Sequence, residues 1–486
     1  NQYDYLFITH ADFVTATQAL ADFRAAQGLR TLIVDVNDLY NLFNYGIYHS
    51  IAIKNFLAYT FSHWAPPPSY VLLIGDGHWN FKASPAYNAP PIYMPPHLGW
   101  VDPWQGELDS SNLLAAVVGN DPLPDLFIGR LPVNSPAELS AAVTKIINYE
   151  SAGLQNFHRR LLFIADNVPD PAGDFVAASE GIIGDYVNPG FQVERIYQNA
   201  YNCPPQCANV TSAILNTLNT NGALLVNFAG HGGVNRWSHE AILTTAHVPS
   251  LSNATLLPVI VSITCLDGYW LHPGEVPYPF PSLIEELVRA QSKGAVSAFA
   301  PVGLGVATGH DNLWRGFYQA LFSDGDWSLG EAALSAKLRV YASGSNIDLV
   351  HTYTIFGDPA LQIKSPYRFD LTHVPPGETD LPGSVFEYTL SLRNTGLVSD
   401  TYRVEISGNQ WVLTAPEFVG PVAPGAQAEL AVSIYSSLYL PNGSSDTVNI
   451  RLISLGDQQD FANAQITSVI STTFEWRLTH APLIVK

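Results

Sequence analysis

Two side chains near the middle of the chain could do covalent chemistry together. The run Leu224-Leu225-Val226-Asn227-Phe228-Ala229 breaks at Gly230-His231-Gly232-Gly233, and the run Pro258-Val259-Ile260-Val261-Ser262-Ile263-Thr264 ends at Cys265. A thiol becomes a useful nucleophile as thiolate, and an imidazole can take its proton and later return one to a leaving amine. Acyl transfer by a cysteine and a histidine is the chemistry these residue types support. The glycines flanking His231 remove side-chain bulk where a peptide backbone would have to approach. Each residue alone has a plainer reading: a lone cysteine closing an apolar strand is a small buried hydrophobe, and a histidine between glycines is a loop residue.

A parallel sheet is what would bring the two together. Short runs rich in Val, Ile and Leu, closed by turn residues, read as central strands buried on both faces. Ligands gather at the carboxyl ends of such strands. His231 and Cys265 therefore share one rim if their strands are parallel neighbours, although 34 positions separate them. Further strands are expected at residues 3–8, 31–36, 70–74, 126–130, 161–165, 192–196 and 295–300. Helical periodicity falls between them, as at 12–28 (Phe13, Ala16, Leu20, Phe23, with Gly28 as stop), 51–63, 136–150 and 175–186. That alternation predicts an α/β fold with doubly wound sheets in two subdomains, residues 1–153 and 154–366. From about Tyr367 short alternating segments are punctuated by Asn394-Thr395-Gly396, Ser407-Gly408-Asn409 and Pro424-Gly425. Residues 367–486 read as an all-β, immunoglobulin-like sandwich that braces or spaces the rest.

Five separated motifs carry a resemblance. The Gly-His-Gly turn, the strand ending in Cys265, Tyr70-Val71-Leu72-Leu73-Ile74-Gly75-Asp76, Phe127-Ile128-Gly129-Arg130 and Thr354-Ile355-Phe356-Gly357-Asp358-Pro359 resemble, in the same order, the catalytic region of the gingipain family of cysteine peptidases. The resemblance covers roughly residues 4–365. It implies a caspase-like fold followed by an immunoglobulin-like domain, with His231 as catalytic histidine and Cys265 as nucleophile. It also implies that Asp166, in the run Asp166-Asn167-Val168-Pro169-Asp170, orients the imidazole, and that Asp174 pairs with a basic P1 side chain. Capping or solvated loop carboxylates are the alternative for both. Trp237 falls where the family walls its cleft, with Ser238, His239 and Glu240 lining the same turn. Packing under a loop is the alternative for Trp237. The amides of Gly232 and Cys265 are candidates for the oxyanion hole. The segment Pro301-Val302-Gly303-Leu304-Gly305-Val306 departs from the family, which places a side chain over the specificity pocket there.

Composition bounds the partners. The 486 residues suggest two to four domains, and 47% hydrophobic content supplies large cores. No run of about 18 apolar residues occurs, so no transmembrane segment is expected. A net charge of −20, from 42 acidic and 22 basic residues, excludes nucleic acid as a partner and suits an extracellular protein met by basic peptides. Cys203 and Cys207 flank Pro204-Pro205-Gln206; a local disulfide is preferred over half of a metal site, since no second ligand pair has zinc spacing. Cys265 is then the free thiol, and Asn1 reads as a mature or trimmed start.

The segment 85–125 is rich in Pro, Tyr, Trp and Asn, and its Asp102, Glu107, Asp109 and Asp121 could gather round a structural calcium ion, as the family resemblance also implies. Gly75-Asp76-Gly77-His78 is a polar cluster at a strand end, read as a turn before a metal or substrate contact. No cofactor is required for the chemistry itself. The expectation is a secreted or surface-held bacterial cysteine endopeptidase acting on peptides or proteins, with attachment to a cell surface and cleavage after a basic residue. A non-catalytic binding or assembly platform, and transpeptidation through the same thiol, are the competing readings.

Overall fold

A computed structural model describes residues 2–82, 90–168, 170–272 and 281–472. Residues 85–89 of the proline-rich segment and Pro169 of the run after Asp166 lie outside the described residues. Asn1–Ser365 and Pro366–Lys486 form two compact units.

The first unit opens with β1 (Tyr5–Thr9), α1 (Val14–Ala26), β2 (Thr31–Asp35), α2 (Val36–Phe43), α3 (Ile51–His63) and β3 (Tyr70–Ile74). A hairpin of β4 (Leu98–Asp102) and β5 (Gly106–Asp109), then α4 (Ser111–Ala115), lead to β6 (Phe127–Leu131) and α5 (Pro136–Ser151). Next come β7 (Arg160–Ala165), α6 (Phe175–Tyr186), β8 (Gln192–Tyr197), α7 (Cys207–Asn216) and β9 (Leu225–Ala229). Three two-residue strands, β10 (Gly232–Gly233), β11 (Arg236–Trp237) and β12 (Leu243–Thr244), separate β9 from β13 (Val259–Ile263). The unit closes with α8 (Leu283–Arg289), β14 (Ser297–Pro301), α9 (Ala307–Phe322), α10 (Leu329–Ser343), α11 (Asp348–Thr352) and β15 (Tyr353–Phe356).

Local chemistry sets these boundaries. Ser135 accepts from Glu138 N with Pro136 in the first turn of α5, and Ser282 and Glu285 form a reciprocal capping box on α8. Helix α10 stops at Gly344 in the left-handed conformation. Strands β1, β9, β13 and β14 are buried along their whole length, as runs without polar alternation require.

Ten strands of this unit join one sheet in the order β2-β1-β3-β6-β15-β14-β13-β9-β7-β8. Every neighbouring pair is parallel except β14 with β15. The sheet thus has two parallel halves running in opposite directions, and it crosses position 153 without a break because β15, from the end of the unit, inserts beside β6. The carboxyl ends of the halves consequently lie on opposite rims. Gly75-Asp76-Gly77-His78, after β3, is on the rim away from His231 and Cys265; there Asp76 accepts from Asn134 Nδ2 at 2.6 Å and lies 3.8 Å from Arg289.

One buried ionic knot ties the first strand to the last. Arg24 of α1 gives Nε and Nη2 to Asp358 Oδ2 at 2.9 and 2.8 Å, and Nη1 and Nη2 to the Glu150 carboxylate of α5, both at 2.7 Å. Tyr5 of β1 donates to Asp358 Oδ1 at 2.5 Å. Asp358 follows β15, so the Gly-Asp-Pro motif serves packing at this place.

The second unit comprises β16 (Phe369–His373), β17 (Glu378–Asp380), β18 (Val385–Asn394), β19 (Asp400–Ser407), β20 (Val412–Thr414), β21 (Phe418–Val422), β22 (Gln427–Tyr435), β23 (Ser445–Ser454) and β24 (Phe461–Ile470). They form two sheets, β16-β18-β22-β20 and β17-β24-β23-β19-β21. Phe386, Tyr388, Leu390 and Leu392 of β18 point inward at every second residue and share a core with Val448, Ile450 and Leu452 of β23.

Replacing Asp358 by Ala would leave the Arg24 guanidinium half-partnered in the interior. Urea unfolding followed by tryptophan fluorescence should show a loss of about 3 kcal/mol, the usual cost of breaking one side of a buried pair.

Candidate active site

The site begins with strand register. β9 and β13 are parallel neighbours with Ala229 opposite Ile263, and Gly230 N donates to Ile263 O at 3.2 Å. His231 and Cys265 each lie two residues beyond that last pair. Thr264 Oγ1 donates to Gly230 O at 2.7 Å, closing the strands together just below them. A Cβ at Gly230 would run into Asp166, and one at Gly232 into Thr264 and the Cys265 carbonyl. Glycine here is a requirement of close approach.

Three groups hold the imidazole of His231. Its Nε2 is 3.1 Å from Asp170 Oδ1, the His239 ring stacks on it at 4.7 Å with 8° between planes, and Phe175 meets it edge-on at 5.7 Å. The amide of Ala172, and then His231 itself, keep the Asp170 carboxyl below the usual aspartate range. The ring's carboxylate partner is therefore Asp170 and not Asp166. Asp166 Oδ2 accepts from the backbone amide of His231 at 2.9 Å, and Oδ1 from Asn167 N and Gln198 Nε2 at 2.9 and 2.7 Å. The reason is height above the sheet. Asp166 directly follows β7, beside β9, and reaches only the main chain of the next loop, whereas Asp170, four residues on, reaches the ring.

Cys265 is half-buried, and its thiol donates to Gly305 O at 3.7 Å. Burial pushes the thiol above its ordinary value; the Gly305 contact opposes this, and the charges of Asp267 and Asp102 add to it. Cys265 thus rests as a thiol and needs a base to become a nucleophile. The turn after it is pinned by Leu266 N to Gly303 O at 3.0 Å, with Leu266 at φ 63°. Ser238 N donates to His231 O at 2.7 Å. Alternation along the β10–β11 hairpin then takes the Gly232 amide out of the ladder, beside the Cys265 main chain.

Trp237 does not wall a cleft. It is fully buried, stacks on Phe228 at 4.7 Å and donates Nε1 to Asp267 Oδ2 at 2.8 Å. Ser262 Oγ donates to the same oxygen. Burial pushes the Asp267 carboxyl up to about 7, against the pull of these two donors.

The family model for Peptidase family C25 matches residues 1–364. The chain belongs to this family. It is similar to Gingipain R2 of Porphyromonas gingivalis, 23% identical over 384 residues that cover 75% of this chain and 46% of the relative. Lys-gingipain of the same organism is 23% identical over 256 residues, covering 50% of this chain and 14% of the relative. The chain thus spans about half the length, or less, of the curated relatives it matches. Among solved structures, that of the Arg specific cysteine proteinase gingipain R superposes with a TM-score of 0.63 at 18% identity, covering 96% of this chain and 98% of that one. The likeness is one of fold, the gingipain caspase-like fold.

Other expected site residues of this C25 chain stand as follows. Asp174 is exposed and caps α6, its Oδ1 accepting from Ala177 N at 2.8 Å. It belongs to the loop that carries Asp170 and that abuts the start of α9 through Gly173 and Ala307. The four carboxylates offered for calcium are dispersed among separate duties. Asp102 accepts from Trp104 N, Gln105 N and Leu304 N, Asp109 from His97 N and Ser111 Oγ while facing Arg130 at 3.6 Å, and Asp121 from Leu123 N. Glu107 is exposed. Among the described residues no three His, Cys, Asp or Glu side chains converge, so these four do not gather round one point. Cys203 and Cys207 are joined as a disulfide.

Sequence reasoning missed the contacts of Asp170, His239 and Phe175 with His231. Asp170 stood in the acidic run, but nothing in its spacing separated it from Asp166. For His239 the spacing held no signal: the left-handed backbone at Ser238, φ 63°, accompanies the stacking of the next ring on His231.

Two outcomes are expected. Asp170→Asn should lower kcat/KM by at least about tenfold, since it weakens the carboxylate partner of the His231 ring, while Asp166→Asn should act mainly on thermal stability. Because Asp267 is raised from 3.8 to about 7, the folded state holds a proton that the unfolded chain has lost, so its contribution should fall as pH rises between those values. Asp267→Asn should flatten that part of a stability-against-pH curve measured by chemical denaturation.

Proposed function

We propose that the protein is a cysteine endopeptidase of the C25 family, with Cys265 as nucleophile and His231 as proton carrier. The observation that supports it most is the level ending of β9 and β13, with a carboxylate on the imidazole of one strand and a free thiol on the other. His231 takes the thiol proton as Sγ adds to the scissile carbonyl carbon. The resulting oxyanion meets the amides of Gly232 and Cys265. Collapse of the adduct breaks the C–N bond, the leaving amine takes the proton from His231, and a thioester remains. Water then gives a proton to His231 as its oxygen adds to the thioester carbon; the C–S bond breaks, His231 returns that proton to Cys265, and the carboxylic acid leaves and loses its own proton to solvent.

A basic P1 residue is the specificity we propose. Relatives named for Arg and Lys support it, as do the acidic side chains Asp170 and Asp174 in the loop facing Ala307. The Cys203–Cys207 disulfide favours an oxidising, extracellular setting.

Incubation with a peptide library under reducing conditions, read by mass spectrometry, tests this reading. Cleavage after Arg or Lys is expected from the wild type and not from Cys265→Ala or His231→Ala. Undiminished cleavage by Cys265→Ala would remove the assignment.

A further inference from the structure

The β4–β5 hairpin stands next to the nucleophile, yet the reaction as derived makes no use of it. Its turn is anchored through Asp102, whose Oδ1 accepts from Trp104 N and Gln105 N at 2.8 and 2.9 Å and whose Oδ2 accepts from Leu304 N at 2.7 Å. Leu304 precedes the residue whose carbonyl receives the Cys265 thiol, and the Asp102 charge reaches that thiol. The turn is therefore fixed at the rim where peptide chemistry takes place.

What the hairpin displays there is unusual for a solvated surface. Trp100 is 85% exposed and Trp104 54% exposed. Trp100 lies opposite Glu107 and, two residues from Leu98, on the same face of the hairpin. Leu98 and Glu107 open into a groove of about 210 Å³ whose other walls include Tyr48, Phe81, Pro95 and Pro96. At roughly 3.3 Å per residue, the strand from Asp102 to Leu98 extends this surface about 13 Å from the anchor. Exposed indole faces on the hairpin, next to a groove walled by Tyr48, Phe81 and two prolines, form the kind of surface that receives an extended, proline-bearing chain, because such a segment is already stiff and presents flat apolar rings.

We infer that the β4–β5 hairpin and its groove are a substrate exosite, binding an extended, proline-bearing stretch of the polypeptide several residues from the scissile bond. This rests on the peptidase reading of Cys265. The exosite acts on substrate capture and leaves the bond-breaking groups alone, so long and short substrates separate the two.

The test compares a Trp100→Ala/Trp104→Ala variant with wild type on β-casein, an unstructured and proline-rich chain, and on a short peptide with the same cleavage site. For β-casein kcat/KM should fall about tenfold, through KM, the loss of one good aromatic anchor. The short peptide should be cleaved unchanged, and Trp→Phe at both positions should restore most of the loss. In a Cys265→Ala background, labelled β-casein should bind about tenfold more weakly when both tryptophans are removed. Equal losses on both substrates, or none on β-casein, would overturn the exosite. If the wild type cleaves neither substrate, the peptidase reading fails, and the β-casein binding measurement alone decides the exosite.

Discussion

Everything at the candidate site depends on two parallel strands ending at the same height. β9 and β13 are held in register to their last residues, and the two chains then stay close enough to leave no room for a side chain at Gly232, while Asp166, after β7, closes off Gly230. Strand neighbours lie about 4.8 Å apart, so this contact sets the lateral spacing of imidazole and thiol. Thr264 and Asp166 complete the clamp, one on the Gly230 carbonyl and the other on the His231 amide. Rigidity of the main chain comes first, and the orientation of the ring by Asp170, His239 and Phe175 is added above it.

Beneath the rim lies a buried polar layer. Asp267 receives Trp237 and Ser262, and Tyr353 of β15 donates to Ser262 O at 2.9 Å. This layer links the hairpin after His231, the strand that leads to Cys265 and the reversing strand pair at the middle of the sheet. Its cost is a carboxyl group far from water, compensated by two donors and by a preference for the protonated form. The same surroundings hold Cys265 as a thiol, so the proposed acyl transfer would need a base at hand rather than a standing thiolate.

The reversal between β14 and β15 decides which loops meet. In a sheet with all strands parallel, the loops after β3 and β13 would share a rim. Here they are on opposite rims, and the chain after β3 must travel back along the sheet before its β4–β5 hairpin reaches Leu304. Asp76 O still accepts from Tyr93 N and Met94 N, so the return along the sheet is made by the stretch from Pro95 through β4.

The sequence by itself determined the alternation of strands and helices, the change to an all-β unit near Tyr367, and the place of His231 and Cys265 just beyond two apolar strands. These are legible because burial on both faces leaves uninterrupted apolar runs, and because crowding from neighbouring strand ends demands glycine at 230 and 232. Tertiary structure alone decided that Asp170 and not Asp166 meets the ring, that Trp237 is core, and that Asp174 caps a helix. A carboxylate or an indole looks the same in sequence whether it faces a backbone amide, a ring or solvent; only the height of a loop above its strand, and the direction in which neighbouring strands run, tells these apart.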